Sequence, residues 1–134
     1  MEIQVTQTIS ITDQRISDLL CSAFEGGSNY WYRIKSFNKP EGAPELQPRE
    51  GNDQVYRHLD YPLTEGYSLT IEDKEDPPTE LKNAILNRES LAKGLQVMSD
   101  KYPKHFADFV AENDDADTGD VFLQCCCFGE VIFG

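Results

Sequence analysis

The chain has 134 residues, 39% hydrophobic and 27% charged, which is one domain's length and enough for a core without disulfides or metal. Its 12 Lys and Arg against 24 Asp and Glu leave a formal charge of −12. That charge disfavours direct nucleic-acid binding, where cationic side chains supply most of the affinity, and disfavours an anionic membrane. No apolar run nears the ~20 residues that span a bilayer, and Met1-Glu2-Ile3-Gln4 has no signal-peptide character.

Met1–Ile11 alternates, with Ile3, Val5, Ile9 and Ile11 on one face, interrupted by Gln7, and Gln4, Thr6, Thr8 and Ser10 on the other. This predicts a half-buried strand. Thr12 is placed to cap a helix from Asp13, with Ile16, Leu19, Leu20 and Phe24 at helical spacing and Gly26-Gly27 ending it. Asn29–Phe37 reads as a second strand. In that reading Tyr30, Tyr32 and Ile34 share one face, and Trp31, Arg33, Lys35 and Phe37 the other.

Asn38 to about Asp53 carries Pro40, Pro44, Pro48, Gly42 and Gly51 and reads as a surface loop too long for an idle connection. Val55–Leu63 and Gly66–Asp73 are expected to form a hairpin turning at Thr64-Glu65-Gly66. Glu72–Glu80, with Pro77-Pro78, reads as a charged loop. Leu81–Leu86 is read as a short strand, followed by a helix from Arg88 to about Lys101 capped by Asn87. One longer helix from Thr79 is the competing reading. Leu91, Leu95 and Met98 form that helix's stripe. Pro103 suits a first helical position, and His105, Phe106, Phe109 and Val110 line a short helix to about Glu112.

The end of the chain holds the densest apolar sequence. Asp117 or Thr118 is read as the cap of a helix in which only Gln124 is polar from Val121 to Phe128, so this helix should be buried. Asp114, Asp115 and Asp120 put negative charge near its positive end. Gly129 suits the left-handed cap, and Val131-Ile132-Phe133 reads as a strand. The expected fold is α+β: an antiparallel sheet of four to five strands, three to four helices packed on it, and a buried C-terminal helix, all in one domain.

Most chemistries are excluded by pattern. An EF-hand loop from Asp115 fails at Gly119, Asp120 and Cys126. His58 and His105 sit in no zinc spacing, and neighbours in Cys125-Cys126-Cys127 point ~100° apart on a helix, so no metal site is expected. Those cysteines and Cys21 read as small buried hydrophobes in a reducing cytoplasm. No P-loop, dinucleotide fingerprint or nucleophile elbow is present, and no cofactor is expected. The one candidate site is Gly26, Gly27, Asn29, Trp31, Arg33 and Lys35. There a base could stack on an aromatic ring, cations hold phosphates and asparagine read a base edge. The bland alternative is that Tyr30, Trp31 and Tyr32 are packing residues.

Two blocks, Ala23-Phe24-Glu25-Gly26-Gly27-Ser28-Asn29-Tyr30-Trp31 and Asp115-Ala116-Asp117-Thr118-Gly119-Asp120 through Phe128-Gly129-Glu130-Val131-Ile132-Phe133-Gly134, resemble a family of short proteins encoded by phages and prophages, as does Tyr102-Pro103-Lys104-His105-Phe106-Ala107-Asp108-Phe109. The resemblance spans the chain. It implies a phage or prophage origin and a product working in the host bacterial cytoplasm, and it carries over no catalytic residue. Two classes of function follow as expectations. The first is a non-catalytic anti-defence binding protein, either a homo-oligomer sequestering a small nucleotide signal or an acidic inhibitor of a basic host protein. The second is a small nucleotide hydrolase using His58, Asp60 or His105.

Overall fold

A computed structural model describes residues 1–74 and 83–134. The first helix, α1, spans Asp13–Ser22 and starts where the Arg15 N–H donates to Thr12 Oγ1 at 3.2 Å. It buries Ile16, Leu19 and Leu20 and tightens into a π-helical turn, Ala23–Gly27, before the chain enters strand β1, Tyr32–Asn38. Helix α2 is Arg57–Leu63, β2 is Ser68–Asp73, and β3 is Ala84–Leu86. Three helices follow: α3 Arg88–Lys101, α4 Pro103–Val110 and α5 Ala116–Phe128. The Asn87 side-chain Oδ1 accepts the Ser90 N–H at 2.9 Å and Ser90 Oγ accepts the Asn87 N–H at 2.8 Å, the reciprocal box that starts α3.

The sheet is antiparallel with order β1-β2-β3. Ile34 faces Ile71, but after a bulge at Lys35 it is Ser36 that faces Thr70 and Phe37 that faces Leu69. One extra residue therefore exchanges the faces of β1 midway. Leu69 and Ile71 point into the core. The other face carries a polar ladder in which Asn38 Nδ2 donates to Ser68 and Thr70 hydroxyls at 3.1 and 3.0 Å.

Helix α5 packs against α1, its π-helical turn, α3, α4 and β3. Backbones approach closely there. A Cβ on Gly119 would lie 2.8 Å from the Ala23 nitrogen, and one on Gly94 of α3 would lie 2.9 Å from the Cys126 Cα. Phe122, Leu123 and Gln124 are fully buried. The loop after β1 is tied to this body. Tyr67 donates to the Pro44 carbonyl, Tyr61 to Glu45 at 3.0 Å, and Arg49 pairs with buried Asp60 at 2.6 Å.

The mixed class with an antiparallel sheet is as expected. The detail differs: the described residues form three strands and five α-helices. Met1–Ile11 forms no strand, because no edge pairs with it. Val55–Leu63 is not a hairpin arm. Asp60 turns back to accept the Tyr56 N–H at 2.8 Å, and five consecutive residues from Leu59 to Leu63 are buried, as a helix end between layers permits. The cap of α5 is Asp115, whose carboxylate accepts the Thr118 N–H at 3.0 Å, rather than Asp117 or Thr118. Val131–Phe133 is no strand either, since side chains take its N–H groups. Asn83 with φ 63° and strand β3, Ala84–Leu86, interrupt a continuous helix into α3, while residues 79–82 lie outside the described residues. The Pro77-Pro78 loop lies outside the described residues. Of the cysteines, Cys125 is buried and the other three are half-buried free thiols.

Candidate functional site

The predicted site residues separate into two groups. Gly27 serves packing: a Cβ there would overlap the carbonyl of Ala116, so its absence lets α5 approach the turn, whereas a Cβ on exposed Gly26 would make only ordinary contact with Ala116 Cβ at 3.7 Å. Trp31 is 2% exposed. Its ring stacks on Phe133 at 5.2 Å and 16°, and its indole N–H donates to Asp120 Oδ1 at 2.7 Å. Asn29, Arg33 and Lys35 are exposed. Arg33 is held by Glu72 at 2.9 Å and Lys35 donates to Asn83 at 3.0 Å. Trp31 therefore does not share a face with the two cations. It precedes β1 and is turned inward by Phe133 and Asp120, while the bulge that follows Ile34 alters the alternation beyond Arg33.

What the fold does bring together is the Ser28–Trp31 turn and α5. Asp120 accepts from Ser28 Oγ at 2.8 Å, from the Tyr30 hydroxyl at 2.7 Å and from Trp31. One turn later Gln124 donates to Asp120 Oδ1 and the Phe133 carbonyl, both at 3.2 Å. Its oxygen accepts the N–H groups of Ile132 and Phe133, both at 2.8 Å. The buried amide is thus fully used, as a buried polar group must be. Sequence reading treated Asp120 as a dipole charge and Gln124 as an interruption. Their spacing of four, one helical turn, was the available signal that they act as a pair.

An open cleft of about 480 Å³ lies over this junction, lined by Tyr30, Trp31, Asp73, Lys74, Phe133 and Gly134. Tyr30 is 53% exposed. Partial burial, then its bond to Asp120, pushes its hydroxyl pKa up to about 12, so it remains a neutral donor. The Lys74 ammonium donates to the Asn29 carbonyl and sits at the rim.

The remaining reactive residues assemble into no catalytic pair among the described residues. Burial, reinforced by Glu25, pushes the Cys21 thiol up to about 11, and burial pushes Cys125 to about 11 and Cys126 and Cys127 higher still. Such thiols are protonated and inert near neutrality. Asp60 is 1% exposed and fixed by Arg49 and the Tyr56 N–H, while His58 lies edge-on to Phe24 at 6.0 Å. His105 Nδ1 is 3.2 Å from Thr118 Oγ1. The acidic run is spent on structure: Asp114 pairs with Arg15 at 3.5 Å, and the Thr118 N–H holds the capping Asp115 carboxyl below its usual range. Among the described residues no group of three His, Cys, Asp or Glu could hold a metal, and no helix is long and apolar enough to cross a membrane. Comparison with protein-family models, curated proteins and solved structures finds no match.

Proposed function

We propose that this chain is a non-catalytic accessory binding protein of a phage or prophage, acting in the host cytoplasm to sequester a small anionic nucleotide signal. The cleft at the Tyr30 junction carries this reading. It is open, it falls within the ~300–1,000 Å³ usual for small-molecule sites, and it sets an exposed ring and an ammonium beside each other. Tyr30 is the stacking ring in this reading, with Lys74, held by the Asn29 carbonyl, for phosphate. Arg33 and Lys35 stand further along β1 as cations a ligand would have to draw from Glu72 and Asn83. The phage origin rests on the resemblance of the terminal blocks.

Isothermal titration with cyclic dinucleotides and cyclic ADP-ribose isomers tests it. Tyr30→Ala and Lys74→Ala should each weaken binding about tenfold or more, in line with ~1–3 kcal/mol for base stacking. Trp31→Ala does not discriminate, since it opens the core. Absence of heat with every nucleotide overturns the reading.

A second reading is an acidic inhibitor of a basic host protein. Six of the twelve cations, Arg15, Arg33, Lys39, Arg49, Arg88 and Lys93, lie within reach of a carboxylate, and the 24 Asp and Glu outnumber the 12 Lys and Arg two to one. Capture of a host protein that is released at high salt, with no nucleotide binding, would select this reading.

A further inference from the structure

The first eleven residues form an arm outside any helix or sheet, exposed from Met1 to Ser10 and joined to the body at Ile11. Ile3 is 94% and Val5 90% exposed, and Ile9 is 42% exposed. Among the described residues no hydrogen bond joins residues 1–11 to the rest. Ile3, Val5 and Ile9 stand bare to water, Gln7 breaks their alternation, and Ile11 anchors the segment against the core, which leaves a strand pattern without a partner.

The arm's sequence says what the partner is. Ile3-Gln4-Val5-Thr6-Gln7-Thr8-Ile9-Ser10-Ile11 reads nearly the same in both directions about Gln7. An antiparallel pair of two such arms, centred on Gln7, places Ile3 opposite Ile11, Val5 opposite Ile9 and Thr6 opposite Thr8. Gln4 then meets Ser10. The one polar residue on the apolar face meets its own copy on the axis, where two amides can hydrogen-bond to each other. An isologous interface requires this self-complementarity; a foreign strand would impose no symmetry on the arm. Charge agrees. Ile3–Thr12 is ten residues without an ionisable side chain in a chain of net charge −12. Two copies repel elsewhere and can meet here, whereas a basic partner would be drawn to the carboxylates. A two-stranded ribbon is marginal alone and needs an apolar bed. A cavity of about 390 Å³ beside Ile9 and Ile11, lined by Ile16, Leu91, Leu95 and Phe106, lies where the partner's first residues would arrive.

We infer that two copies of this chain associate through their N-terminal arms as an antiparallel ribbon with its two-fold axis at Gln7. This inference is independent of the ligand. Analytical ultracentrifugation of the full chain at micromolar concentration should give a dimer or an even multiple. The Ile3→Asp/Val5→Asp variant should halve the mass with an unchanged far-UV circular dichroism spectrum. A monomeric wild type overturns the inference, and so does a folded double variant that keeps its mass. Register is tested separately by mild oxidation, with the wild type, which has its own four cysteines, as the control. Gln7→Cys should give a covalent dimer on non-reducing gels, because directly opposed Cβ atoms lie ~4.5–5.5 Å apart. Val5→Cys should not, because its opposite number is Ile9. Equal cross-linking of both variants, or of neither, overturns the pairing.

Discussion

The two ends of this chain are alike in β-prone side chains and opposite in fate. Met1–Ile11 and Val131–Phe133 both read as strands in sequence, and both lie outside any helix or sheet. The C-terminal segment is nevertheless fixed. Tyr102 Oη accepts the Val131 N–H at 2.8 Å and Gln124 accepts the next two, while Phe133 covers Trp31. The arm has the stronger strand pattern and no such partners. Order in an extended segment is set by who takes its N–H groups, and β propensity only makes the segment available.

The comparison breaks most visibly if the C-terminal junction tolerates volume. Gly27→Ala pushes a methyl into the Ala116 carbonyl, and backbone cannot yield as a flexible side chain can. A loss of about 3 kcal/mol is expected, at the upper end for overpacking, read as a lower urea midpoint with an unchanged slope. A change under about 1 kcal/mol would mean that α5 is not tightly seated.

Gln124→Leu keeps the volume and removes the partners. The Ile132 and Phe133 N–H groups and the Phe133 carbonyl would lose their bonds, at about 2 kcal/mol. Hydrogen exchange sharpens the reading: the amides of Ile132 and Phe133 should lose protection first, making the C-terminal segment resemble the arm. Uniform loss across α5 would show a general packing defect instead.

A smaller effect is expected at alkaline pH. Tyr30 titrates near 12 in the fold and near its ordinary value of 10 when unfolded. Its contribution is complete below pH 10, where both states are protonated. It declines from about pH 10 to 12, as the unfolded state loses the proton first. Tyr30→Phe should flatten that part of the stability profile, and an unchanged decline would assign it to other groups.

Much of the helical framework was legible. Thr12, Asn87, Pro103 and Gly129 sit at the predicted ends because caps and first-turn prolines act over three or four residues. The buried α5 followed from its near-continuous apolar run. Asp115 is not distinguished as the cap in sequence, because Asp117 and Thr118 carry side-chain oxygens that can serve as well. What failed depended on distant partners. Helix α2, where a strand over Val55–Leu63 is expected, is held by Arg49 and Asp60, and the bulge at Lys35 is settled by pairing with β2. The tryptophan drew attention as an aromatic beside cations. Its neighbour Asp120 lies 89 positions away, and nothing local announces that contact.

The smallest effect expected is on the arm itself, and it isolates what the arm does. With Ile3 and Val5 more than 85% exposed, replacing both with aspartate removes no contact within one copy. At high dilution its stability should match the wild type within about 0.5 kcal/mol, the ordinary scatter of surface substitutions. Association stabilises only the folded state, so the wild type should gain stability as concentration rises, and the variant should not. Urea midpoints of both chains over a hundredfold concentration range measure this. Diverging curves place the arm's contribution between copies. Parallel curves with a constant gap place it within one copy, and the contrast between the two ends would then be wrong.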